Sequence, residues 1–311
     1  MANTRFPWQF SVDGQIILNY KEISMSEQTK FAIIGAGAMG EAIIGGLLRQ
    51  NLTSPENIHA SEPRHERCQE LHNKYGVTTS SDNLQVLTEA DVVVLAVKPQ
   101  RLEKVLYELA GYIPSKAVVI SIIAGASIEK ISKGLAHDSI IRTMPNTPGQ
   151  IGKGITVWFA SPTVSTNQLE KSKLMLRALG EDIQVDEEYY LDMATGISGT
   201  GPMYVYLFME AFMDAAVHLG FSRHIAEQLV IETIRGSVDY YESQSVHVAD
   251  LRNKVTSPGG TSAAALYYLE KAGFRTAISR AIWAAYERSQ QLGKGKLDQH
   301  PEKNNDNGKI D

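Results

Sequence analysis

Three glycines near the start of the chain have the spacing of a phosphate-binding loop. Gly35, Gly37 and Gly40 form the pattern G-x-G-x-x-G within FAIIGAGAMGEAIIGGL, between an apolar run and a helical pattern. The first glycine allows a tight turn, the second lets the backbone approach a pyrophosphate, and the third allows close packing of helix on strand. Free N–H groups at the helix start would face the phosphate. The predicted dinucleotide site also includes the intervening residues Ala36, Ala38 and Met39.

Polar residues follow the next apolar run, where a second parallel strand would end beside the glycine loop. Glu62 lies about 20 residues beyond the last glycine, the position at which an acidic side chain holds the ribose hydroxyls of NAD. Ser61 and Arg64 could instead hold the additional phosphate of NADP, the arginine through a charge-assisted pair. Arg64 could equally be a solvated loop residue. The sequence leaves the choice between NADPH and NADH open.

Further candidates follow later strands, since ligands of open α/β sheets bind outside the carboxyl ends of the strands. Lys98 could face the cofactor ribose or the substrate, or be a surface lysine. Asn146, in the segment RTMPNTP, offers a donor and an acceptor in a rigid loop, although a turn role is as plausible. A small-residue floor for a nicotinamide is predicted after the fifth strand. The cofactor candidates at these strand ends are Ala96, Val97, Lys98, Pro99, Ala124 and Gly125.

Two segments in the second half of the chain combine glycines with hydroxyl groups at predicted helix starts. Residues Ser198 to Pro202 (SGTGP) are expected to form a flexible, donor-rich loop. The segment VTSPGGTS, ending at Ser262, has two glycines beside hydroxyls, which suits a small carboxylate at a helix N-terminus. Ordinary helix capping by Thr261 or Ser262 is the alternative, and a cap and an anion site can exist together at one helix start.

Other reactive residue types point to no separate site. Glu210, Asp214 and His218 share one helical face, but no other His or Cys is nearby in sequence, so a polar stripe is the better interpretation than a metal site. Cys68 lacks an evident base and is expected to be a structural thiol. We predict no metal.

The elements that must position these residues change character once along the chain. Up to about residue 185, β-branched runs alternate with helical patterns, which indicates βαβ units, and beyond Asp186 everything is helical. We predict an α/β fold: an N-terminal Rossmann dinucleotide-binding domain over residues 25–186 and an all-helical dimerisation and substrate domain over residues 187–292. The predicted strands are Lys30–Ile34, Ile58–Ser61, Val77–Thr79, Val92–Val97, Ala117–Ile122, Ser139–Thr143, Thr156–Phe159 and Asp182–Val185.

Composition excludes several classes of function. The chain has 311 residues, with 43% hydrophobic and 21% charged residues and a net charge of −5, so wholesale disorder is excluded. The absence of basic blocks argues against nucleic acid and anionic membranes as partners, and no apolar stretch is long enough to span a bilayer. One cysteine cannot form an intramolecular disulfide, which favours a reducing, cytoplasmic location.

The two ends are expected to lie outside the folded part. Residues 1–24 resemble no signal peptide, and Met25 is a plausible true start, with a short docking arm as the less favoured alternative. Residues 293–311 are almost wholly polar and predict a disordered tail.

Taken together, these motifs resemble the pyrroline-5-carboxylate reductase family. The resemblance extends from about Lys30 to Leu292. The segments MPNTP and SPGGT together are much more specific to one family than a glycine loop alone. It rests on FAIIGAGAMGEAIIGGL, AVKPQ, SIIAGASI, IRTMPNTP, SGTGPMYVYLFMEAFMDAAV and LRNKVTSPGGTSAAALYYLE.

The resemblance implies hydride transfer from NAD(P)H to the C=N carbon of 1-pyrroline-5-carboxylate, the final step of proline biosynthesis. It implies cofactor contacts from the glycine loop, Ser61, Asn83 and residues 96–99, and a homodimer that assembles to a decamer in some members. A hydroxyl at Ser262 would orient the imine nitrogen or relay a proton, with Thr261 beside it. The implied substrate-binding residues, in a partner subunit's helical domain, are Ser257, Gly259, Gly260, Thr261 and Ser262.

Two residues depart from the family pattern. The family usually has threonine where this chain has Ser262, and serine keeps the hydroxyl but loses the methyl that restrains its rotamer. Glu62 is unexpected beside an NADP phosphate and suggests tolerance of NADH.

Two other function classes remain possible from sequence. A related 3-hydroxy acid dehydrogenase or imine reductase would carry a catalytic lysine in its entry helix, but residues 198–219 contain none. A redox sensor that binds NAD(P) without turnover would not need the intact SPGGT segment.

Overall fold

The computed structural model describes residues 29–293, so the predicted leader and residues 294–311 of the predicted tail lie outside it. Its first half is a sheet of eight strands in the order β3-β2-β1-β4-β5-β6-β7-β8. The strands are β1 (Phe31–Ile34), β2 (Ile58–Ser61), β3 (Thr78–Ser80), β4 (Val92–Leu95), β5 (Val118–Ser121), β6 (Ile140–Met144), β7 (Gly154–Ala160) and β8 (Gly180–Gln184).

All eight predicted strands are present, with ends that differ from prediction by at most two residues. The strand order reverses between β1 and β4, which creates the crevice at which α/β sheets bind ligands. One pairing departs from the predicted parallel sheet, because β7 runs antiparallel to β6. Only residues 145–153 join these two strands, too few for the crossover helix that a parallel pair requires.

Five helices cover the two faces of the sheet. Alternate residues of β1 point to opposite faces: Phe31 and Ile33 pack on one hydrophobic cluster, and Ala32 and Ile34 on the other. Both faces are therefore buried, as a Rossmann sheet requires. The helices are α1 (Ala38–Arg49), α2 (His65–Tyr75), α3 (Leu102–Leu109), α4 (Ile128–Leu135) and α5 (Thr166–Arg177).

The described residues after β8, up to residue 293, contain helices and no strand, as predicted. This half consists of α6 (Tyr190–Ala194), a π-helical turn at Thr195–Gly199, α7 (Gly201–His218), α8 (Arg223–Glu242), α9 (Val248–Lys254), α10 (Thr261–Lys271) and α11 (Phe274–Gly293). Gly293, predicted to begin the tail, is instead the last residue of α11.

The helical half buries almost none of its own apolar surface. No residue of α7, α9 or α10 is buried, and α8 buries only Ala226 and Val230. Large apolar side chains such as Leu207 and Phe208 are 59% and 46% exposed. A single protomer leaves a surface of this kind in water, which is the mark of an interface.

Candidate active site

The glycine loop folds as the spacing predicts. The N–H groups of Gly35 and Ala36 donate to the Ser61 carbonyl at the end of β2, at 3.1 and 3.0 Å. Gly35 has φ +95°, and a Cβ on it would lie 2.7 Å from Val97 Cγ1. A Cβ on Gly40 would lie 2.4 Å from the Gly35 carbonyl oxygen. Gly35 and Gly40 must therefore be glycines, because the loop packs closely between β1, β4 and α1.

Gly37 has the opposite environment. It precedes the first residue of α1, and a Cβ placed on it would meet no atom within 4 Å. The first-turn N–H groups of α1 have no acceptor within the helix and carry the positive end of its dipole. Open space, unpaired N–H groups and a positive helix end at one place fit the pyrophosphate of a dinucleotide.

Glu41, the acidic residue in the first turn of α1, is held by side chains of α2. The Glu41 carboxylate pairs with Arg67 and accepts hydrogen bonds from Lys74 and Tyr75 of α2, each at 2.9 Å. Burial raises the pKa of Glu41, but these hydrogen bonds outweigh it and hold the pKa at about 2. Its negative charge is thus matched by cations of α2.

Predicted residues meet at the end of β2, where the adenosine end of the cofactor would lie. Ser61 Oγ donates to Asn83 Oδ1 at 2.7 Å, and Asn83 Nδ2 donates to Glu108 at 2.7 Å. Glu62, whose side chain is 9% exposed, pairs with Arg64 Nε at 2.7 Å, and this bond raises the pKa of the guanidinium. Arg64 itself is 69% exposed. Glu62 is therefore charge-paired, and Arg64 presents its outer N–H groups to solvent.

Cys68 of α2 contacts the backbone just after β2. The thiol is buried and donates to the Glu62 carbonyl at 3.2 Å, which supports a structural thiol.

The remaining strand-end candidates divide between open and packed positions. Ala96 and Val97 are half-buried beside the glycine loop, Lys98 is exposed, and Pro99 begins a 3-10 turn. Gly125, φ +74°, packs on the end of α11: a Cβ there would lie 2.8 Å from the Ser289 carbonyl. This close approach supplies a packing reason for the glycine, whereas the predicted nicotinamide floor at Ala124 and Gly125 stays a prediction.

Asn146 has a structural partner. Its Oδ1 accepts a hydrogen bond from the Ile155 N–H at 3.0 Å and thereby fastens the loop after β6 to the start of β7. A cavity of about 290 Å³ separates this loop from α7, lined in part by Pro148, Ser198 and Tyr206.

The prediction of a flexible loop from Ser198 to Pro202 is wrong. Thr195–Gly199 is a π-helical turn that continues into α7 from Gly201. The Thr200 N–H and hydroxyl both donate to the Thr195 carbonyl, at 2.8 and 2.7 Å, so two donors of the predicted donor-rich loop are used within the turn itself.

The SPGGT segment forms a tight turn into α10. Gly259 has φ +72°, and the Gly260 N–H donates to the Ser257 carbonyl at 3.0 Å. Gly260 is the N-cap of α10, and no side chain caps this helix. The capping role considered for Thr261 or Ser262 is therefore wrong. Both side chains are exposed at the first turn, beside N–H groups that an anion can bind.

The two halves of the predicted site belong to different parts of the fold. The cofactor candidates converge at the carboxyl edge of β1, β2 and β4. Within residues 29–293, α10 packs chiefly on α11, and no element of the Rossmann half is among its main packing partners. A groove of about 780 Å³ beside Thr147 and Thr200 follows the apolar side of α7 to Arg223.

Arg142 is a buried residue whose role the sequence did not reveal. It lies within β6, inside the predicted strand Ser139–Thr143, and is 3% exposed. An arginine in the apolar run IIRTM was the available signal, since a buried charge requires partners.

Metal and membrane features are absent from the part of the chain that the structure describes. No group of three or more His, Cys, Asp or Glu in residues 29–293 could hold a metal ion. Asp214 instead pairs with Arg223 at 2.8 Å. No helix within the same range meets the length and hydropathy needed to cross a membrane.

Sequence relatives cover both halves of the chain. A family described as pyrroline-5-carboxylate reductase dimerisation matches residues 188–292, and one described as NADP oxidoreductase, coenzyme F420-dependent, matches residues 30–125. The pyrroline-5-carboxylate reductase of Synechocystis sp. is 43% identical over 265 residues, 85% of this chain and 98% of that protein. The Escherichia coli protein of the same name is 34% identical over 268 residues, 86% and 99% of the two chains.

Solved structures agree with these relatives. The Plasmodium falciparum pyrroline carboxylate reductase with NADP bound has a TM-score of 0.80 and 32% identity, covering 86% of this chain and 99% of that one. The 1-pyrroline-5-carboxylate reductase of Streptococcus pyogenes has a TM-score of 0.79 and 28% identity, covering 86% and 100%.

Proposed function

This chain belongs to the pyrroline-5-carboxylate reductase family, and from that premise we propose that it reduces 1-pyrroline-5-carboxylate to L-proline with NADPH. The reaction is the final step of proline biosynthesis. The observation that carries the proposal is the 43% identity to a named reductase over 98% of that protein. The open cradle at Gly37 supplies the cofactor site that such a reaction needs.

The Rossmann half binds the cofactor, which supplies the hydride when bound. Gly37 and the first turn of α1 hold the pyrophosphate. Arg64, preset by Glu62, offers its exposed N–H groups to the additional phosphate of NADP. Because Glu62 is already paired, its carboxylate repels that phosphate less than a free one would. We therefore expect NADPH to be preferred and NADH to be accepted.

The SPGGT turn binds the substrate. The N–H groups at the first turn of α10 receive the carboxylate, with Ser257 and Gly259 shaping the turn and Thr261 beside it. The Ser262 hydroxyl orients the imine nitrogen and relays a proton to that nitrogen. A protonated cyclic imine is a good electrophile, so proximity and orientation supply most of the remaining acceleration.

The complete site uses two protomers. The helix α10, which the SPGGT turn begins, packs chiefly on α11 and not on the Rossmann half, and the helical half leaves its apolar faces exposed. In the proposed dimer, these faces interlock and each SPGGT turn reaches the cofactor edge of the partner. Further assembly to a decamer and a cytoplasmic location are parts of the same proposal.

An absorbance assay tests the proposal. Purified full-length protein is mixed with 1-pyrroline-5-carboxylate and either NADPH or NADH, and proline is identified in the product. We expect substrate-dependent oxidation of both cofactors, with a lower KM for NADPH. The variant Arg64→Gln should lose that preference while retaining NADH oxidation. Cofactor binding without oxidation would instead identify a non-catalytic NAD(P)-binding protein.

A further inference from the structure

A buried network joins the two halves of the chain at Arg142. Its Nη1 pairs with Glu188 Oε1 at 2.9 Å and its Nη2 with Asp192 Oδ1 at 2.7 Å. Glu188 precedes α6 and Asp192 lies within it, whereas Arg142 belongs to β6 of the Rossmann half. One side chain therefore connects the sheet to the first helix of the helical half by two ion pairs.

The same two acids connect Arg142 to further elements. Ser289 of α11 donates to Asp192 Oδ1 at 2.8 Å. The N–H of Ile128, the first residue of α4, donates to Glu188 Oε1 at 2.9 Å. The network thus holds together β6, α4, α6 and α11, two elements from each half.

Close backbone packing lies beside this network. Gly125, in the turn before α4, has no room for a side chain because of α11: a Cβ would lie 2.7 Å from the Gly293 N–H nitrogen. This turn follows β5 at the cofactor edge of the sheet. Close packing beside the Arg142 network thus allows α11 one orientation on the turn after β5.

We propose that Arg142 is a positioning residue for the reductase reaction, an inference that rests on the proposed function. Cofactor and imine are held by different halves of the fold, and reacting atoms must approach to about 3–3.5 Å for transfer. Arg142 fixes the Rossmann half on the helical half that forms the dimer, and so fixes the separation between the two bound molecules. Lysine cannot replace it, because an ammonium group is a point charge whereas the planar guanidinium reaches both carboxylates.

The test compares two aspartates with similar partners. Asp192 accepts from Arg142 and Ser289 across the junction. Asp182 accepts from Arg177 and Trp158 within the Rossmann half, at 2.8 and 2.9 Å, and its side chain is 8% exposed. Asp192→Asn and Arg142→Lys alter the junction, and Asp182→Asn is the matched control.

We expect kcat to fall on the order of tenfold or more in Asp192→Asn and Arg142→Lys, while the Kd for NADPH and the KM for the imine stay unchanged. Asp182→Asn should lower Tm without changing kcat. An unchanged kcat in both junction variants would overturn the proposal. So would a loss of kcat accompanied by an equal weakening of NADPH binding, which would place the effect in the cofactor site itself.

Hydrogen exchange separates this inference from the proposed function. We expect the amide of Ile128 and those of α6 to exchange faster in Arg142→Lys than in wild type, and not in Asp182→Asn. Wild-type protein that fails to reduce the imine would contradict the proposed function. Unchanged exchange in Arg142→Lys would contradict the junction role, whatever the activity.

Discussion

At the scale of single residues, the two hydroxyls of the SPGGT turn have a proposed chemical role and no capping role. Ser262 and Thr261 stand at the first turn of α10, yet Gly260 is the N-cap and neither hydroxyl caps the helix. Asn146, by contrast, is engaged by the Ile155 N–H, and Glu62 by Arg64. A hydroxyl that stabilises nothing in its own helix is available to a ligand.

Ser262 provides the prediction at this scale. We expect Ser262→Ala to lower kcat/KM for 1-pyrroline-5-carboxylate by about 10²-fold, because proton transfer by a positioned side chain contributes factors of that order. Ser262→Thr should retain activity, since it keeps the hydroxyl. Steady-state kinetics measure both variants. The control is Thr166→Ala, which removes a hydroxyl from the first turn of α5 in the Rossmann half. An alanine variant with wild-type kcat/KM would remove Ser262 from the mechanism.

Single residues also show where the sequence stopped being informative. The glycine loop was predicted because its turn, strand and helix are all local. Arg142 was not, because its acceptors lie 46 and 50 residues further along the chain. Nothing in the segment IIRTM indicates which acids would receive the charge.

At the scale of elements, the junction of β1 and α1 combines two glycines with different constraints. Gly40 is fixed by packing, since a Cβ would lie 2.4 Å from the Gly35 carbonyl oxygen, and Gly37 faces open space. The protein fold requires Gly40, and we expect the bound cofactor to require Gly37.

These two glycines form a matched pair of variants. We expect Gly37→Ala to leave Tm unchanged and to raise the Kd for NADPH about tenfold, because its methyl occupies the cradle of the pyrophosphate. Gly40→Ala should lower the free energy of unfolding by roughly 1–3 kcal/mol, since the backbone must shift to relieve the clash. Thermal unfolding and NADPH fluorescence titration distinguish the two. Loss of stability in Gly37→Ala with normal NADPH binding would contradict the assignment of the cradle.

The pairing of α1 with α2 depends on pH through Glu41. The folded state holds the pKa of Glu41 at about 2, below its ordinary 4.5. Ionised Glu41 therefore stabilises the folded state above pH 4.5, and this contribution is lost as the pH falls from about 4.5 to about 2. Its size is roughly 2 kcal/mol after allowance for solvent screening.

We accordingly expect Glu41→Gln to be less stable than wild type at pH 7 and the difference to shrink as the pH is lowered towards 3. Urea unfolding at a series of pH values measures this. Glu129→Gln is the control, because Glu129 pairs with Lys133 on the exposed face of α4. A difference that is constant with pH would show that the ionised carboxylate of Glu41 is not the stabilising species.

The elements also explain two errors of prediction. The segment SGTGP has the composition of a loop, yet the Thr195 carbonyl accepts two hydrogen bonds from Thr200 and closes a π-helical turn. The prediction of a parallel sheet is wrong for β6 and β7, which pair antiparallel because a short connection joins them in place of a crossover helix. Strand positions follow from hydrophobic patterns, whereas the width of a turn depends on hydrogen bonds that composition does not specify, and strand direction depends on the length of the connecting segment.

At the scale of the whole molecule, the exposed apolar faces of α7 and α10 have their explanation in a second protomer. Periodicity along the sequence could predict two halves and an apolar helix suited to an interface. It could not place the SPGGT turn relative to the cofactor that we propose another chain binds, because that position depends on the symmetry of the dimer.

Subunit complementation tests the shared site. Gly37→Val disables the Rossmann half and Ser262→Ala the SPGGT turn, and each variant alone should have little activity. In a mixed dimer, one site combines the two intact halves, so we expect about half of wild-type activity per mixed dimer. Mixed dimers can be isolated with two affinity tags. Activity no greater than that of the separate variants would show that each site is built within one chain.

Isotope transfer tests the central claim most directly. The protein is incubated with 1-pyrroline-5-carboxylate and NADPH carrying deuterium at the transferable position, and the product is examined by mass spectrometry and NMR. The proposed reaction predicts L-proline with deuterium on the ring carbon that was double-bonded to nitrogen. Formation of no proline, or of proline without deuterium at that carbon, would contradict it.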